Sequence, residues 1–210
     1  MIQVESAPAP ALAGVWDAAV LGPVREINEQ VVDLLCEAAA AAGEGCAGLL
    51  GVARGEFRPA PAAARRRLAD CPYLLLDAGF GGCARWSRPE GVRDAPAATA
   101  AAPPVIDCGV SLARRALLLG WHLARSNRLA ARVALGMTPA CAELVGALRL
   151  RDLEALAEAD SGCVRLRWES RPELWRPLLR AALAERPAAL AGLQMRGLQL
   201  LAADSGFVEG

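Results

Sequence analysis

The stretch from Leu112 to Trp168 limits the fold more than any other part of the chain. Its leucines and alanines recur every three or four residues, which is the spacing of one buried stripe on a helix. Three features break the pattern, namely Ser126–Asn127, Gly136 and Thr138–Pro139. Asparagine or threonine commonly caps the start of a helix, and glycine commonly follows its end. The stretch therefore predicts several consecutive short helices.

We expect these helices to end in one strand. After a first helix that stops at Ser126, the pattern predicts Arg128–Leu135, Pro139–Leu148 and Asp152–Ala159. Cys163–Trp168 then alternates in polarity, which is typical of a half-buried strand. The alternation places Val164, Leu166 and Trp168 on one side, and Arg165 and Arg167 on the other.

The composition favours helices over sheets. Alanine and leucine make up much of the 54% hydrophobic fraction, whereas β-branched and aromatic residues are few. A chain of 210 residues suits one large domain or two small ones. We therefore predict a mainly α fold of two helical subdomains with at most short β-strands.

Proline and alanine clusters suggest the domain boundaries. We expect a disordered N-terminus at 1–13, a helical domain at 14–86, a Pro/Ala-rich linker at 87–107 and a second helical domain at 108–205. The halves also hint at a degenerate tandem repeat, in which Leu68–Ala69 would match Leu156–Ala157 and Trp86 would match Trp168. Chance similarity in a chain rich in Ala, Leu and Arg is the alternative.

The first half gives weaker signals. Pro23–Ala42 has a helical apolar stripe, and Arg65–Ala69 resembles a short helix. Residues 43–61 are rich in glycine and proline and predict a loop. Tyr73–Leu76 is an apolar run that fits either a buried strand or a helical turn. A capping box at Ser170–Glu173 predicts the start of a later helix.

The charged residues exclude several classes of enzyme. Positive and negative residues balance at 23 each, and none of the positive residues is lysine. A phosphate-binding P-loop and a Schiff-base centre both need lysine, so neither is expected. The balance also gives no overall basic field for nucleic acid, so any such contact would be local.

No catalytic, metal or cofactor site is expected. His122 is the one histidine, and its leucine-rich surroundings predict a packed or interface residue rather than a catalytic base. The seven cysteines lack CxxC spacing, so a structural zinc site is not expected and buried thiols are the default. We predict a non-enzymatic protein without a cofactor.

The N-terminus and the cysteines bear on location. MIQVESAPAPALAG lacks the basic and apolar regions of a signal peptide, and no apolar run has the length of a membrane span. An odd number of cysteines without a leader favours a reducing compartment. These features predict a cytoplasmic protein without a membrane partner.

Residues 123–179 resemble FlhD, the small helical subunit of the bacterial flagellar master transcriptional regulator. The resemblance is carried by LARSNRLAARVALGM at 123–137, AELVGALRLRDLEALAE at 142–158, CVRLRW at 163–168 and ELWRPLL at 173–179. It implies a transcription-activating subunit that acts with a second, FlhC-like protein subunit. DNA contact and homodimer formation are further partnerships that it allows.

The alternative from the residues alone is a helical interaction or assembly adaptor without DNA binding. The expected helix Asp152–Ala159 has an acidic outer face, which would repel phosphates. Arginines around the turn and the strand are better candidates for DNA or partner contact. They are Arg149, Arg151, Arg165, Arg167 and Arg171. The competing interpretation is a solvated basic rim paired with Glu154, Glu158 and Glu169.

Overall fold

The computed structural model describes residues 17–43, 48–83, 86, 104–159 and 164–205. Within these ranges the fold is mainly α-helical with a single two-stranded sheet, as predicted. The strands are Leu76–Asp77 (β1) and Arg165–Leu166 (β2). The helices are Ala18–Ala41 (α1), Gly48–Phe57 (α2), Ala62–Ala69 (α3), Gly109–Ser126 (α4), Arg128–Leu135 (α5), Pro139–Ala147 (α6), Leu150–Ala159 (α7), Pro172–Leu183 (α8) and Pro187–Asp204 (α9).

The helix boundaries after Ser126 follow the predicted capping chemistry. The side chain of Asn127 accepts a hydrogen bond from the Ala130 N–H, and that of Thr138 accepts one from the Cys141 N–H. Gly136 ends α5 with a φ of 69°, a left-handed conformation that glycine adopts without strain. These caps separate α4, α5 and α6, and their predicted limits are confirmed to within a few residues.

Two predicted features of other segments are wrong. The expected loop at 43–61 contains α2, which buries Leu49, Leu50, Ala53 and Phe57 along one face. This burial outweighs the low helix propensity of its glycines. The capping box at Ser170 does not form, because α8 begins at Pro172 and its N-cap residue makes no side-chain capping bond. Proline at the first helical position sets this start instead.

Both parts of the chain contribute to one continuous hydrophobic core. The long helix α1 packs against α2 and α3, and α4 packs in the same way against α6 and α7. The helix α8 then packs on α2 and α3, so a late element covers early ones. The predicted N-terminal segment 1–13 and most of the linker 87–107 lie outside the described residues, so these boundaries stay predictions.

The element order is similar in the two halves. In the first half, the long helix α1 is followed by the pair α2 and α3 and then by β1. In the second half, the long helix α4 is followed by α5, by the pair α6 and α7 and then by β2. The strands β1 and β2 pair antiparallel, with Asp77 opposite Arg165. The sequence offset between Asp77 and Arg165 equals that between Leu68 and Leu156, the pair that suggested a repeat. A local two-fold relation between the halves would give this antiparallel pairing. The repeat itself stays a prediction.

The buried segment Cys71–Asp77 is held by a side chain from α1. Asn28 is fully buried, and its amide nitrogen donates to the carbonyl oxygens of Tyr73 at 2.9 Å and Cys71 at 3.4 Å. Its oxygen accepts the Leu75 N–H at 2.8 Å. Buried backbone groups need such partners, so Asn28 allows this non-helical segment to cross the core.

The packing of Tyr73 against Gly197 gives a test of the core. A methyl group at Gly197 would overlap the buried Tyr73 ring and hydroxyl. We expect Gly197→Ala to lower the free energy of unfolding by about 1–3 kcal/mol, because overpacking outweighs the better helix propensity of alanine. Urea unfolding would measure this.

Gly192→Ala is the matched control on the same helix. No atom outside the local backbone lies within 4 Å of its added methyl group. We expect this variant to gain up to about 1 kcal/mol from helix propensity. Equal stabilisation by the two substitutions would contradict the close packing of Tyr73 on α9.

No single helix in the described ranges combines the length and apolar character of a membrane span. The adjacent helices α5 and α6 reach that length and composition only when they are taken together, and they are bent by 117°.

Candidate functional site

The structure corrects the prediction for Arg167. Its side chain was expected on the outer, charged side of the strand, but it is buried with 7% exposure. Its guanidinium donates to the carbonyl oxygens of Leu74 at 2.9 Å, Leu76 at 2.9 Å and Leu135 at 3.1 Å. Arg167 therefore joins β1, β2 and the end of α5, and it is not available to DNA or to a partner.

The environment of Arg167 explains how a charge is tolerated there. Burial lowers the pKa of the guanidinium, while the negative charge of Asp77 and the neighbouring Tyr73 and Asp204 oppose this shift. Its own carbonyl accepts the Trp175 indole N–H at 2.9 Å. A buried arginine needs such a set of acceptors, so its role is structural.

Arg165 and Arg171 lie at the surface beside carboxylates. Arg165 forms an ion pair with Glu169 at 3.0 Å, and Arg171 forms one with Glu173 at 3.2 Å. Glu169 also accepts the backbone N–H of Val105 at 3.4 Å. The Arg165–Glu169 pair is partly buried and the Arg171–Glu173 pair is exposed, and both offset the charge that a phosphate would meet. This edge corresponds to the solvated rim considered from the sequence.

Arg149 and Arg151 lie elsewhere, where the turn after α6 leads into α7. Arg149 precedes α7, and Arg151 is its second residue. The Trp121 indole N–H donates to the Leu148 carbonyl at 2.8 Å, which brings the end of α4 to this turn. The Arg125 guanidinium stacks over the Trp121 ring at 4.8 Å. Leu150 projects from the same turn with 49% exposure. We call the surface formed by Trp121, Arg125, Arg149, Leu150 and Arg151 the basic patch.

The basic patch contains more arginines than neighbouring carboxylates. Across the described residues, no carboxylate lies within 4.0 Å of the Arg125 or Arg149 guanidinium, and the nearest to Arg151 is Asp152 at 3.9 Å. The other carboxylate oxygen of Asp152 accepts the Arg149 N–H at 3.2 Å. Asp152 thus helps to begin α7, and the three guanidinium groups remain accessible.

The sequence singled out two of the five patch residues, Arg149 and Arg151, as candidates for contact. Arg125 was not among them, although its spacing of four residues from Trp121 places both on one helix face. His122, beside them on α4, was expected to be packed or at an interface, and it is exposed. The signal that could have identified the patch is an aromatic–arginine pair at the end of a helix that precedes a basic turn.

A small cavity lies between α8 and α9. It has a volume of about 20 Å³ and includes Tyr73, Trp168 and Leu193 in its lining. Burial raises the pKa of Tyr73 and raises that of the adjacent Cys71 to about 12. Both groups are therefore protonated at neutral pH.

No group of three or more His, Cys, Asp or Glu side chains suited to a metal ion occurs among the described residues. Comparison with protein-family models, curated proteins and solved structures gave no match to this chain. The basic patch is therefore assessed on its own chemistry.

Proposed function

We propose that this protein is a non-enzymatic regulatory subunit that binds a protein partner through the basic patch. The observation that carries the proposal is the exposed Leu150 between two exposed arginines. Among the described residues, the Arg149 guanidinium has no carboxylate within 4.0 Å, and the nearest to Arg151 is Asp152 at 3.9 Å. Arginine and tryptophan are enriched in protein interfaces, and an apolar centre with a charged rim is their usual arrangement. The partner surface would be acidic, with an apolar group that contacts Leu150.

The resemblance to FlhD supplies the biological context of the proposal. It covers residues 123–179 and therefore includes Arg125 and the whole turn that bears Arg149, Leu150 and Arg151. In that context the partner is a second regulatory subunit, and the process is transcription activation. The alternative is an assembly adaptor that uses the same patch without a role in transcription.

DNA is a second candidate for the same surface. Three exposed arginines favour phosphate contact, whereas Leu150 and the acidic Asp152 and Glu154 favour a protein. The affinity for DNA bound here would fall steeply as the salt concentration rises. Each phosphate contact removed would lower the slope of log affinity against log salt concentration by about 0.9. Fluorescence anisotropy with a labelled duplex at several salt concentrations measures this.

A charge-reversal variant tests the protein-binding proposal. We expect Arg149→Glu combined with Leu150→Asp to lower partner affinity about 100-fold or more, because it removes one charge contact and the apolar centre. The unmodified full chain and the variant are each immobilised and exposed to an extract of the native host. The measurement compares the proteins that the two retain.

Arg58→Glu is the matched control, since Arg58 is exposed on the connection that follows α2, outside the patch. We expect this control to retain the same partner as the unmodified chain. Retention of identical proteins by the patch variant, with unchanged thermal unfolding, would refute the proposal. Salt-sensitive binding to a DNA duplex that is lost in the patch variant and kept in the Arg58→Glu control would favour DNA.

A further inference from the structure

Two cysteines from distant parts of the chain meet at one threonine. The Cys83 sulfur lies 3.8 Å from the Thr138 hydroxyl oxygen. The same oxygen accepts the Cys141 backbone N–H at 3.2 Å, as the N-cap of α6. A cap residue and the third residue of its helix have neighbouring side chains. Both thiols therefore lie around the start of α6.

The two sulfurs differ in access to solvent. Cys141 is fully buried, whereas Cys83 is half-buried and follows the exposed Gly81 and Gly82. Burial raises the pKa of Cys141 to about 12, and the nearby Cys83 and Asp77 add to this rise. Two glycines beside Cys83 leave that turn few side-chain restraints against a small shift.

We propose that Cys83 and Cys141 form an oxidation site that closes into an intramolecular disulfide. This inference is independent of the proposed function. Cys83 reacts first, because an oxidant in solution reaches it more easily than the buried Cys141. The disulfide would fix the Gly79–Cys83 turn to the N-terminus of α6.

Oxidised glutathione is a suitable oxidant for this reaction. The Cys83 thiolate attacks one sulfur of its disulfide, forms a mixed disulfide and releases one glutathione thiolate. Cys141 then loses its proton to solvent, and its thiolate attacks the Cys83 sulfur and releases the second glutathione. Two protein thiols are oxidised to one disulfide, and one molecule of oxidised glutathione is reduced to two thiols.

The experiment treats the folded full chain with oxidised glutathione and maps the peptides without reduction by mass spectrometry. We expect a linked peptide pair that contains Cys83 and Cys141. Thermal unfolding of the oxidised chain should shift upward by about 5 °C, because the cross-link restricts the unfolded state.

Single-cysteine variants distinguish the order of the steps. Cys141→Ser should stop at a glutathione adduct on Cys83, and Cys83→Ser should leave Cys141 unmodified. Cys36→Ser is the control, since Cys36 lies on α1, and it should form the same linked pair as the unmodified chain. A stable adduct on Cys83 in the unmodified chain, a linkage of Cys83 to another cysteine, or no reaction at either residue would overturn the proposal.

Discussion

Arg167→Leu is expected to lower the free energy of unfolding by about 3 kcal/mol or more. The substitution leaves the carbonyl oxygens of Leu74, Leu76 and Leu135 without their donors. Each buried unsatisfied group costs about 1–3 kcal/mol, while relief of the buried charge offsets part of the sum. Domains of this size have only about 5–15 kcal/mol of stability, so the variant would be close to unfolding. Urea unfolding followed by tryptophan fluorescence measures the loss.

Two further substitutions make this measurement specific. Arg167→Lys keeps the charge, but one ammonium group does not reproduce the forked geometry of a guanidinium, so we expect an intermediate loss. Arg171→Leu removes an exposed arginine of the same segment and should change stability by less than about 0.5 kcal/mol. Equal unfolding midpoints for Arg167→Leu and Arg171→Leu would show that the three carbonyl contacts do not support the fold.

Asn28→Leu is expected to have an effect of similar size, about 3 kcal/mol, although leucine fills nearly the same volume. The variant leaves the Leu75 N–H without its acceptor and the Tyr73 carbonyl without its donor. Both groups are in a segment with no helix or long strand to satisfy them. Chemical denaturation again provides the measurement, and hydrogen exchange at the Leu75 amide should accelerate markedly.

Asn28→Asp adds a pH test of the same contacts. A buried aspartate facing carbonyl oxygens has a raised pKa in the folded state, so its carboxyl group favours the protonated form. The variant should therefore be least destabilised below about pH 4 and lose stability as the pH rises, because the unfolded state ionises first.

Gln30→Leu is the control for Asn28→Leu, since the Gln30 amide donates to the Glu26 carbonyl one turn earlier on α1. A loss in Gln30→Leu as large as that in Asn28→Leu would contradict the assignment.

Local signals in the sequence were sufficient for most helices of the second half. Asn127, Gly136 and Thr138 act through bonds to residues within a few positions, so their effect is visible without tertiary structure. The helix α2 was missed because its glycines lower local propensity, whereas its stability comes from contact with the distant α8. Local chemistry predicts boundaries well, but it does not predict which weak segments long-range packing will order.

The same limit explains the error at Arg167. Alternation along Cys163–Trp168 predicts opposite sides for Arg167 and Leu166. The strand β2 contains only Arg165–Leu166, and the alternation does not show that β1 and α5 cover Arg167. Only the folded position of the Leu74, Leu76 and Leu135 carbonyls reveals that a charged group is required there. Arg149 and Arg151 could be singled out because exposed positions can be recognised without knowing which elements pack together. The patch they form with Trp121 and Arg125 depends on a contact between separate helices, which local spacing does not predict.

The attachment of Arg167 to Leu74 has a consequence for protein synthesis. Ninety-three positions separate the two residues, and a ribosome needs roughly 5–20 s to translate that length. Throughout this interval the nascent chain contains Tyr73–Leu76 without the cation that later binds its carbonyl groups. The first half is therefore synthesised before the donor that completes the hydrogen bonding of this apolar segment exists.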